Sequence, residues 1–512
     1  MPRVSIPAIG SVGVNRDTQP HELPLSALSD VRNIRMRDGS AERISGDVPV
    51  LKTPTVTPYW LQIYKPLGAN FVVHAGLAEV HANQADALTN ITGTNTLTGT
   101  DADRWTGGVL NGVLVLNNGV NPPMYWGGNI ATPLAVLTGW NSNWRCLALR
   151  PFKNYLIGLN WVKSGVNYPN MVKWSAAADP GTVPATWNEA DPTNDAGEID
   201  LSETSGVVVD GLPLGDSFIV YKSDSMYAMT YIGGQYIWQF RRLPGDVGIL
   251  ARGCVCNTPV GHLVLTLGDA VVHNGAGLQS ILSGKVRRHL FASMDGQFAD
   301  RSFVLSNPAT NEAWICYPET GSQVCTKALI WNWVDGTFTF RDLSGVTCGT
   351  SGQYESNGQS PWSADGATWA DDDTSWDMDY LPATQSRFIL GTNTPQLLGV
   401  DVGTQFHGST FPATVERTGL AFDDLESVKV CKAIYPRIDG TTGETVYVQA
   451  GGAMDVEGPY NWSDPVPYVI GSTYRADLFA SGRFLAYRVY STAALSWRIR
   501  SLDLEVQAMG RY

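Results

Sequence analysis

Residues 111–126 read NGVLVLNNGVNPPMYW. In this stretch the apolar run VLVL meets the polar segment NNG, and a second extended run follows and ends on Tyr125 and Trp126. Asn-Gly pairs accept the positive φ angles that two-residue hairpin turns require. The stretch therefore predicts a β-hairpin that is closed by an Asn-Gly turn.

An apolar run followed by a turn and a second extended run recurs between residues 71 and 317. The steps between the starts of these runs are 42, 42, 63, 45 and 40 residues. A recurrence near 40–45 residues, built from strands and turns, is typical of β-propeller blades. The longest step contains a Pro-, Asp- and Thr-rich insertion at residues 179–194. The starting residues are Phe71, Val113, Tyr155, Phe218, Leu263 and Phe303.

The composition favours an all-β chain. Of the 512 residues, 43% are hydrophobic and only 16% are charged, while glycine occurs 53 times and tryptophan 17 times. Few charges and many glycines suit short strands with tight turns better than long helices. A net charge of −13 argues against nonspecific binding to nucleic acid. We expect neither a signal peptide nor a membrane span, because residues 1–10 lack a basic start and no run of 18 apolar residues exists.

The chain is expected to divide into three parts. Residues 1–54 are predicted to form an N-terminal arm and hairpin, and residues 55–405 a β-propeller-like domain with loop insertions near 179–200 and 349–380. Residues 406–512 contain strongly alternating segments, which predict strands with one buried and one wet face. A C-terminal β-sandwich-like domain is therefore expected.

The last full blade is the easiest to recognise, because four short strands fill about 40 residues. A further hairpin at residues 387–401 is a candidate to close the ring. The aromatic residues of this blade are expected to pack between neighbouring blades, and a stacking platform for sugars or bases is the alternative. The predicted strands are 303–306, 312–317, 327–331 and 337–341, and the aromatic residues are Trp314, Trp331, Trp333, Phe338 and Phe340.

The cysteines are odd in number and scattered, which is typical of reduced, buried thiols in a protein assembled in the cytosol. Cys254 and Cys256 form a C-x-C pair without a second pair at a zinc-binding spacing, so no zinc site is expected. The seven residues are Cys146, Cys254, Cys256, Cys316, Cys325, Cys348 and Cys431.

One Gly-, Ser- and Asp-rich loop carries an acidic cluster and three tryptophans spaced by seven residues. Oxygen ligands at such spacing suit calcium, but the EF-hand pattern is absent, and a solvated acidic loop is the simpler interpretation. Residues 363–369, SADGATW, resemble the Asp-box turn S-x-D-x-G-x-T-W with one residue missing. The acidic residues are Asp365, Asp371, Asp372, Asp373, Asp377 and Asp379, and the tryptophans are Trp362, Trp369 and Trp376.

The histidines and one basic cluster are further candidate sites. Histidines in equivalent hairpins either converge on a channel or are satisfied structural residues. The basic cluster either contacts DNA phosphate or forms a solvated or subunit-facing edge. The histidines are His21, His74, His81, His262, His273, His289 and His407, and the cluster is Lys285, Arg287, Arg288 and His289.

The sequence carries no nucleophile, phosphate-binding or dinucleotide-binding motif in a suitable context. No pair of carboxylates is singled out for glycoside hydrolysis. We therefore assign no catalytic, cofactor-binding or metal-binding residue and no cofactor, and expect that the chain is not an enzyme.

Several segments, taken in order, resemble the tail nozzle (tail tubular, or hub) proteins of short-tailed bacteriophages. Residues 33–46, NIRMRDGSAERISG, resemble the opening N-x-R-x-R-x-G-x-x-x-R-x-G of that family. The central stretch and closing strands are similar to later parts of the family pattern. These segments are VKWSAAADP (172–180), AGEIDLSE (196–203), LGDSFIVYKSDSMYAM (214–229), GDVGIL (245–250), GDAVVHNG (268–275), ATWADDDTSWD (367–377) and residues 497–511.

The resemblance implies a structural virion protein, assembled in the host cytoplasm and located in the phage tail. Such a subunit forms a homo-oligomeric ring, commonly a hexamer, that contacts the portal or adaptor, other tail proteins and tail fibres. The ring retains the genome and conducts the DNA during ejection, without sequence-specific binding. The first alternative is a receptor- or glycan-binding tail propeller that uses exposed tryptophans. The second alternative, which is less favoured, is a glycan-cleaving propeller.

Overall fold

The computed structural model describes residues 3–66, 68–84, 87–234, 236–354 and 386–511. The chain is all-β, and its described residues form a seven-bladed propeller and a two-sheet sandwich. The helical segments in the described part are one short α-helix, Arg287–Ser293, and two 3-10 turns, Pro20–Glu22 and Ala299–Arg301.

Blades 1 to 5 are separate antiparallel sheets of four strands each. Their strands are Trp60–Tyr64, Phe71–Ala75, Val80–Gln84 and Ala87–Asn90 in blade 1; Thr106–Leu110, Val113–Asn117, Met124–Trp126 and Ala135–Val136 in blade 2; Trp144–Phe152, Tyr155–Lys163, Val166–Trp174 and Gly197–Asp200 in blade 3; Val208–Leu214, Ser217–Lys222, Met226–Tyr231 and Trp238–Arg242 in blade 4; and Val255–Thr258, Gly261–Leu265, Ala270–His273 and Leu278–Ser280 in blade 5.

Blades 6 and 7 share one continuous sheet, because the long strand Phe338–Gly352 belongs to both. Its first part, residues 338–342, pairs with the third strand of blade 6, and residues 346–352 form the first strand of blade 7. The remaining strands are Phe303–Asn307, Glu312–Tyr317 and Cys325–Asn332 in blade 6, and Arg387–Thr392, Leu397–Val400 and Asp47–Pro49 in blade 7.

An N-terminal strand completes the propeller. Asp47–Pro49 pairs antiparallel with Leu397–Val400 as the outermost strand of blade 7. The first strands of successive blades contact one another, and the long strand contacts Trp60–Tyr64 of blade 1, so the ring is closed. Residues 1–54 therefore contribute strands to both units rather than only an arm and a hairpin.

The second strands of the blades explain the apolar runs of the sequence. Phe71–Ala75, Val113–Asn117 and Gly261–Leu265 are buried at every position. Because each blade packs between two neighbours, both faces of its inner strands are covered, and the strands read as continuous apolar runs rather than as alternation. The sandwich strand Ala476–Gly482 instead alternates buried and exposed residues, as a sheet with one wet face requires.

The hairpin predicted at residues 111–126 is confirmed, but the prediction that a two-residue Asn-Gly turn closes it is wrong. Leu114 lies opposite Trp126 and Leu116 opposite Met124, so residues 118–123 form a longer connection. Two consecutive prolines at 122 and 123 lack the N–H groups needed to continue the ladder. The side chain of Asn118 instead accepts a hydrogen bond from the main-chain N–H of residue 121 at 2.8 Å.

The predicted recurrence marks the second strand of blades 1 to 5 correctly. The sixth marker, Phe303, lies on the first strand of blade 6, whose second strand begins at Glu312. The four strands predicted for this blade are confirmed, although the last of them continues to Gly352. The insertion at residues 179–194 connects the third and fourth strands of blade 3.

The sandwich combines strands from both ends of the chain. One sheet contains Ile34–Arg37, Ser40–Arg43, Trp497–Arg511, Ser427–Gly440 and Ala476–Gly482, with Arg3–Ile6 also paired to Trp497–Arg511. The other contains Asp30–Arg32, Ala413–Leu420, Phe484–Ser491, Thr445–Ala453 and Asn461–Trp462, with Val466–Val469 also paired to Thr445–Ala453. Neither sheet is complete without N-terminal strands.

A buried ionic group, which we call the closure cluster, joins the sandwich to the closing blade. It consists of Arg35, Asp47, Glu312, Arg341 and Asp401. Arg35 binds Glu312 at 2.6 Å and Asp401 at 2.7 Å. Arg341, whose side chain is fully buried, binds Asp401 at 3.2 Å and also pairs with Asp47 on the closing strand. Residues from the sandwich, blade 6 and blade 7 are thus held by one network.

Candidate functional site

The two faces of the propeller differ in the connections that they carry. Because the strands of a blade alternate in direction, all first strands begin at one face, which we call the entry face. Three arginines come just before first strands: Arg104 before blade 2, Arg252 before blade 5 and Arg301 before blade 6. A fourth, Arg150, lies on the first strand of blade 3. Arg104 and Arg301 line one cavity, and Arg252 contacts the main chain of Arg104.

Hydrogen bonds from these arginines connect blades that are not adjacent in the ring. Nη1 of Arg252 donates to the main-chain carbonyls of Arg104 at 2.8 Å and of Leu147 at 3.0 Å, so it joins blade 5 to blades 2 and 3. Nη1 of Arg104 donates to the carbonyl of Thr347 in blade 7 at 3.2 Å. The axis is therefore bridged by side chains at this face.

Two of the arginines have carboxylate partners. Nη2 of Arg301 binds Asp101, in the connection before blade 2, at 2.7 Å. Arg150 binds Asp210 through Nε and Nη2 at 2.9 and 2.8 Å. Burial alone would raise the pKa of Asp210, but the Arg150 guanidinium and two main-chain N–H donors outweigh it and lower that pKa.

Arg252 occupies a more positive environment. Burial lowers its pKa to about 10; the carboxylate of Asp210 opposes this shift, and the charges of Arg104 and Arg150 add to it. Among the ion pairs of the described residues, neither Arg252 nor Arg104 has a carboxylate partner. The entry end of the axis therefore carries excess positive charge in a chain whose net charge is −13.

A cavity of about 40 Å³ opens beside Arg104. Its walls come from the connections before blades 1, 2 and 6, from residues 323–325 of blade 6, and from the first strand of blade 7 and Asn393. This cavity is too small for a sugar ring or a nucleotide, because its volume accommodates only about three or four non-hydrogen atoms. The main lining residues are Tyr59, Asp101, Arg104, Arg301, Cys325 and Thr347.

The sequence did not single out these arginines, because they are scattered over almost 200 residues and match no motif. A signal was nevertheless present in their position relative to the blades. Arg104 and Arg301 each lie two residues before a first strand, and Arg252 lies three residues before one. An alignment of the blades on their first strands would have placed all three at one end of the axis.

The histidines of blade 5 do not converge on the axis. His262 and His273 lie opposite each other on the second and third strands, and the hydroxyl of Tyr221 in blade 4 is 2.6 Å from a ring nitrogen of each. His262 also bonds the carbonyl of Pro213 at 2.9 Å. Burial lowers the pKa of both imidazoles to about 4. These contacts join blade 4 to blade 5, while Nδ1 of His273 is buried without a hydrogen-bond partner among the described residues.

His74 and His81 form a similar facing pair in blade 1. Their rings are in edge contact, with centroids 5.2 Å apart. Burial lowers the pKa of His74 to about 3, and the neighbouring His81 acts in the same direction. This pair also lies on second and third strands, away from the first strands that surround the axis.

The basic cluster makes contacts within the chain. Lys285 donates to the carbonyl of Gly336 at 2.9 Å, and Arg287 to that of Gly268 at 2.6 Å. The main-chain N–H of Arg288 bonds the carboxylate of Asp17 at 3.2 Å. A ring nitrogen of His289 lies 2.9 Å from Arg16 in the N-terminal arm. The cluster therefore holds the short helix against its neighbours and the arm.

A larger cleft of about 600 Å³ lies where the arm, the short helix and the sandwich meet. Its charged groups are mixed in sign, and Arg16 is paired with Asp30 across it. The other ionisable lining residues are Asp17, Arg288, His289, Glu416 and Glu457. Because two arginines face four carboxylates, the lining of this cleft is predominantly acidic.

All seven cysteines are free and buried, as predicted. Burial raises the pKa of Cys254 and Cys325 to about 12, so these thiols are unreactive at neutral pH. Trp314 and Phe338 are fully buried, as expected for packing residues, and Trp333 is only partly buried.

No group of three or more metal-ligating side chains occurs within the described ranges. The acidic cluster at residues 365–379, the tryptophans at 362, 369 and 376, and the Asp-box-like segment 363–369 lie outside the described residues. Among the residues that are described, no helix has the length and apolar character needed to cross a bilayer.

No protein-family model and no curated protein matches the chain. Similar solved structures include the WD40 β-propeller domain of Doa1, with 10% identity and a TM-score of 0.37 over 70% of this chain and 97% of that one. BBS1N in complex with ARL6DN is 10% identical, with a TM-score of 0.40 over 71% and 98% of the two chains. PorZ, a surface component of the type-IX secretion system of Porphyromonas gingivalis, is 9% identical, with a TM-score of 0.36 over 76% of this chain and 44% of that one. At this level of similarity, the fold is established by the strand pairing and ring closure of the chain itself.

Proposed function

We propose that this chain is a structural protein of a bacteriophage tail, a subunit of the tube or nozzle that retains the packaged DNA and conducts it during ejection. The observation that carries the proposal is the interlock of propeller and sandwich. Strands from residues 3–43 complete both sandwich sheets, and Asp47–Pro49 then completes blade 7. A scaffold whose two units share one terminal segment suits a part that must resist internal pressure.

The closure cluster supports the same role. Arg35 belongs to the sandwich, Asp47 and Asp401 to blade 7, and Glu312 and Arg341 to blade 6. Separation of the two units would leave several of these charges without partners, which is costly in a buried environment. The joint between the units therefore resists sliding as well as opening.

The distribution of charge supports passage of DNA without binding. The side chains of Lys285, Arg287 and Arg288 each donate a hydrogen bond within the chain, and the net charge is −13. An acidic wall repels phosphate and so discourages DNA from adhering to it. Since arginine side chains bridge the propeller axis, the proposal places the DNA in the lumen of a ring of subunits and not along the axis of one propeller.

The test is the stoichiometry and position of the protein in purified particles from its source. Quantitative mass spectrometry should find about half as many copies as of the portal subunit, as expected for six-fold against twelve-fold rings. Antibody labelling in the electron microscope should place it on the tail axis. An antibody to the major capsid protein provides the control for labelling elsewhere on the particle.

Two outcomes would contradict the proposal. Absence from particles would exclude a virion role and direct attention to glycan binding and hydrolysis. Labelling of peripheral fibres would instead indicate receptor binding.

A further inference from the structure

Three buried side chains form one continuous series of hydrogen bonds between blades 4 and 5. The hydroxyl of Tyr221, on the second strand of blade 4, lies 2.6 Å from Nδ1 of His262 and 2.6 Å from Nε2 of His273. Nε2 of His262 lies 2.9 Å from the main-chain carbonyl oxygen of Pro213 in blade 4. The three residues are at most 2% exposed. Each of these hydrogen bonds crosses from one blade to the other.

The chemistry of the atoms determines the direction of each bond. A carbonyl oxygen only accepts, so Nε2 of His262 carries a hydrogen, and Nδ1 of the neutral ring is then an acceptor. The hydroxyl of Tyr221 therefore donates to His262. Since that hydroxyl has a single hydrogen, it accepts from His273, whose Nε2 carries the hydrogen. Both neutral imidazoles are consequently Nε2–H tautomers, and Nδ1 of His273 is a buried acceptor without a partner among the described residues.

Added protons can bind at two nitrogen atoms, with different results. A proton on Nδ1 of His273 leaves all three hydrogen bonds in place, although the new N–H group is buried without an acceptor in the described part of the chain. A proton on Nδ1 of His262 instead deprives the Tyr221 hydroxyl of its acceptor. With both protons bound, two imidazolium rings have centroids 5.4 Å apart in a buried site, where like charges repel strongly.

Two further titratable groups act on the Tyr221 hydroxyl. The carboxylate of Asp210, on the first strand of blade 4, is held by Arg150 through both oxygens at 2.9 and 2.8 Å. Burial raises the pKa of the Cys256 thiol, on the first strand of blade 5, so that group stays neutral. Burial lowers the pKa of both imidazoles to about 4. The rings are therefore neutral at neutral pH and bind protons only in acid.

We propose that Tyr221, His262 and His273 form an acid-sensitive latch that holds blade 5 to blade 4 at neutral pH and releases it in acid. The first proton binds His273 and preserves the hydrogen bonds. The second binds His262 and disrupts them. Release increases local opening of the second strands of the two blades, Ser217–Lys222 and Gly261–Leu265. This inference does not depend on the proposed tail function.

The first test measures amide hydrogen exchange of the full chain at pH 7 and pH 4 by mass spectrometry, after correction for intrinsic exchange rates. Residues 217–222 and 261–265 should exchange about tenfold faster at pH 4. Residues 113–117 should change little, because blade 2 contains no histidine. Equal acceleration in all blades, or none in the two strands of the latch, would overturn the proposal.

A pair of tyrosine variants isolates the hydroxyl of the latch. Tyr221→Phe should give the faster exchange of both strands already at pH 7, because it removes the group that bonds both imidazoles. Tyr227→Phe is the matched control. Its hydroxyl is also buried in blade 4 but has no hydrogen-bond partner among the described residues, so this variant should exchange like the wild type. The same response in both variants would contradict the role of Tyr221.

Two measurements on the wild-type chain remain decisive if Tyr221→Phe does not fold. Exchange of the C2 hydrogen of an imidazole depends on its protonation, so its rate against pH gives a midpoint for each histidine. The midpoint of His273 should lie above that of His262, and the reverse order would refute the proposed sequence of protonation. Nitrogen-15 NMR at pH 7 should show both rings as Nε2–H tautomers. An Nδ1–H tautomer at either residue would refute the direction of the hydrogen bonds.

Discussion

Removal of Arg341 tests whether the closure cluster holds the propeller shut. The Arg341 side chain is fully buried, and it pairs with Asp47 and Asp401. Arg341→Met keeps much of the volume and the contacts with Trp314 and Phe406. It leaves buried Asp47 without its cationic partner and leaves Asp401 to share Arg35 with Glu312. Breaking a buried ion pair by removal of one partner costs about 3–5 kcal/mol. We expect a loss of stability of that size, with Tm lowered by about 3–5 °C for a chain of 512 residues.

The assay is differential scanning calorimetry, with urea unfolding monitored by tryptophan fluorescence. The matched control is Arg500→Met, which breaks a pair whose side chains are 64% and 57% exposed. That change should cost no more than about 1 kcal/mol. The double variant Arg341→Met with Asp47→Asn should be more stable than Arg341→Met alone, because it removes one of the stranded charges. A double variant no more stable than the single one would refute the reasoning.

Four further predictions follow from the structure. Burial raises the pKa of Asp47 to about 6, so between about pH 4 and pH 6 this carboxyl keeps its proton in the folded chain and loses it in the unfolded chain. The free energy of unfolding therefore falls as the pH rises through this range. Asp47→Asn should remove this fall when unfolding is measured by calorimetry. Burial lowers the pKa of His262 from 6.5 to about 4, so below about pH 6.5 the unfolded chain binds a proton at this residue before the folded chain does. The free energy of unfolding therefore decreases as the pH is lowered. His262→Gln should reduce the loss of Tm between pH 7 and pH 5. Ellman's reagent should titrate none of the seven buried thiols in the native chain and all of them in guanidinium chloride, and rapid native reaction would contradict their burial. Gly46→Ala should cost about 2 kcal/mol or more in urea unfolding, because a Cβ there collides with the main chain of Gln405, whereas Gly277→Ala, which meets no atom within 4 Å, should be nearly neutral.

The repeated pattern of the sequence was sufficient to predict the blades. Runs such as VLVL at 113–116 are apolar on both faces, and only a strand covered on both sides requires that. The shift at Phe303 arose because the first strand of blade 6 is also strongly apolar, and periodicity does not distinguish first from second strands. Turn details were less predictable, since the prolines after Asn118 changed the length of the loop.

The N-terminal closing strand and the candidate site were not predictable from local patterns. Asp47–Pro49 is too short to show any period, and its partner Leu398 lies 349 residues from Pro49 in the chain. The arginines of the entry face are likewise separated by whole blades, and only the closed ring brings Arg104, Arg252 and Arg301 together. Patterns among neighbouring residues do not predict pairing between segments that lie this far apart in the sequence.

The use of an N-terminal strand to complete blade 7 has a consequence for synthesis on the ribosome. Residues 47–49 emerge early and have no partner until residues 397–400 have been made, and the sandwich must wait for residues 497–511. Closing a loop of about 350 residues costs roughly 5 kcal/mol of chain entropy, so closure comes late and depends on the rest of the ring. A nascent chain shorter than about 400 residues can complete neither unit, which leaves unpaired strand edges exposed to proteases and chaperones. Only a chain that includes residues 3–511 can form both units.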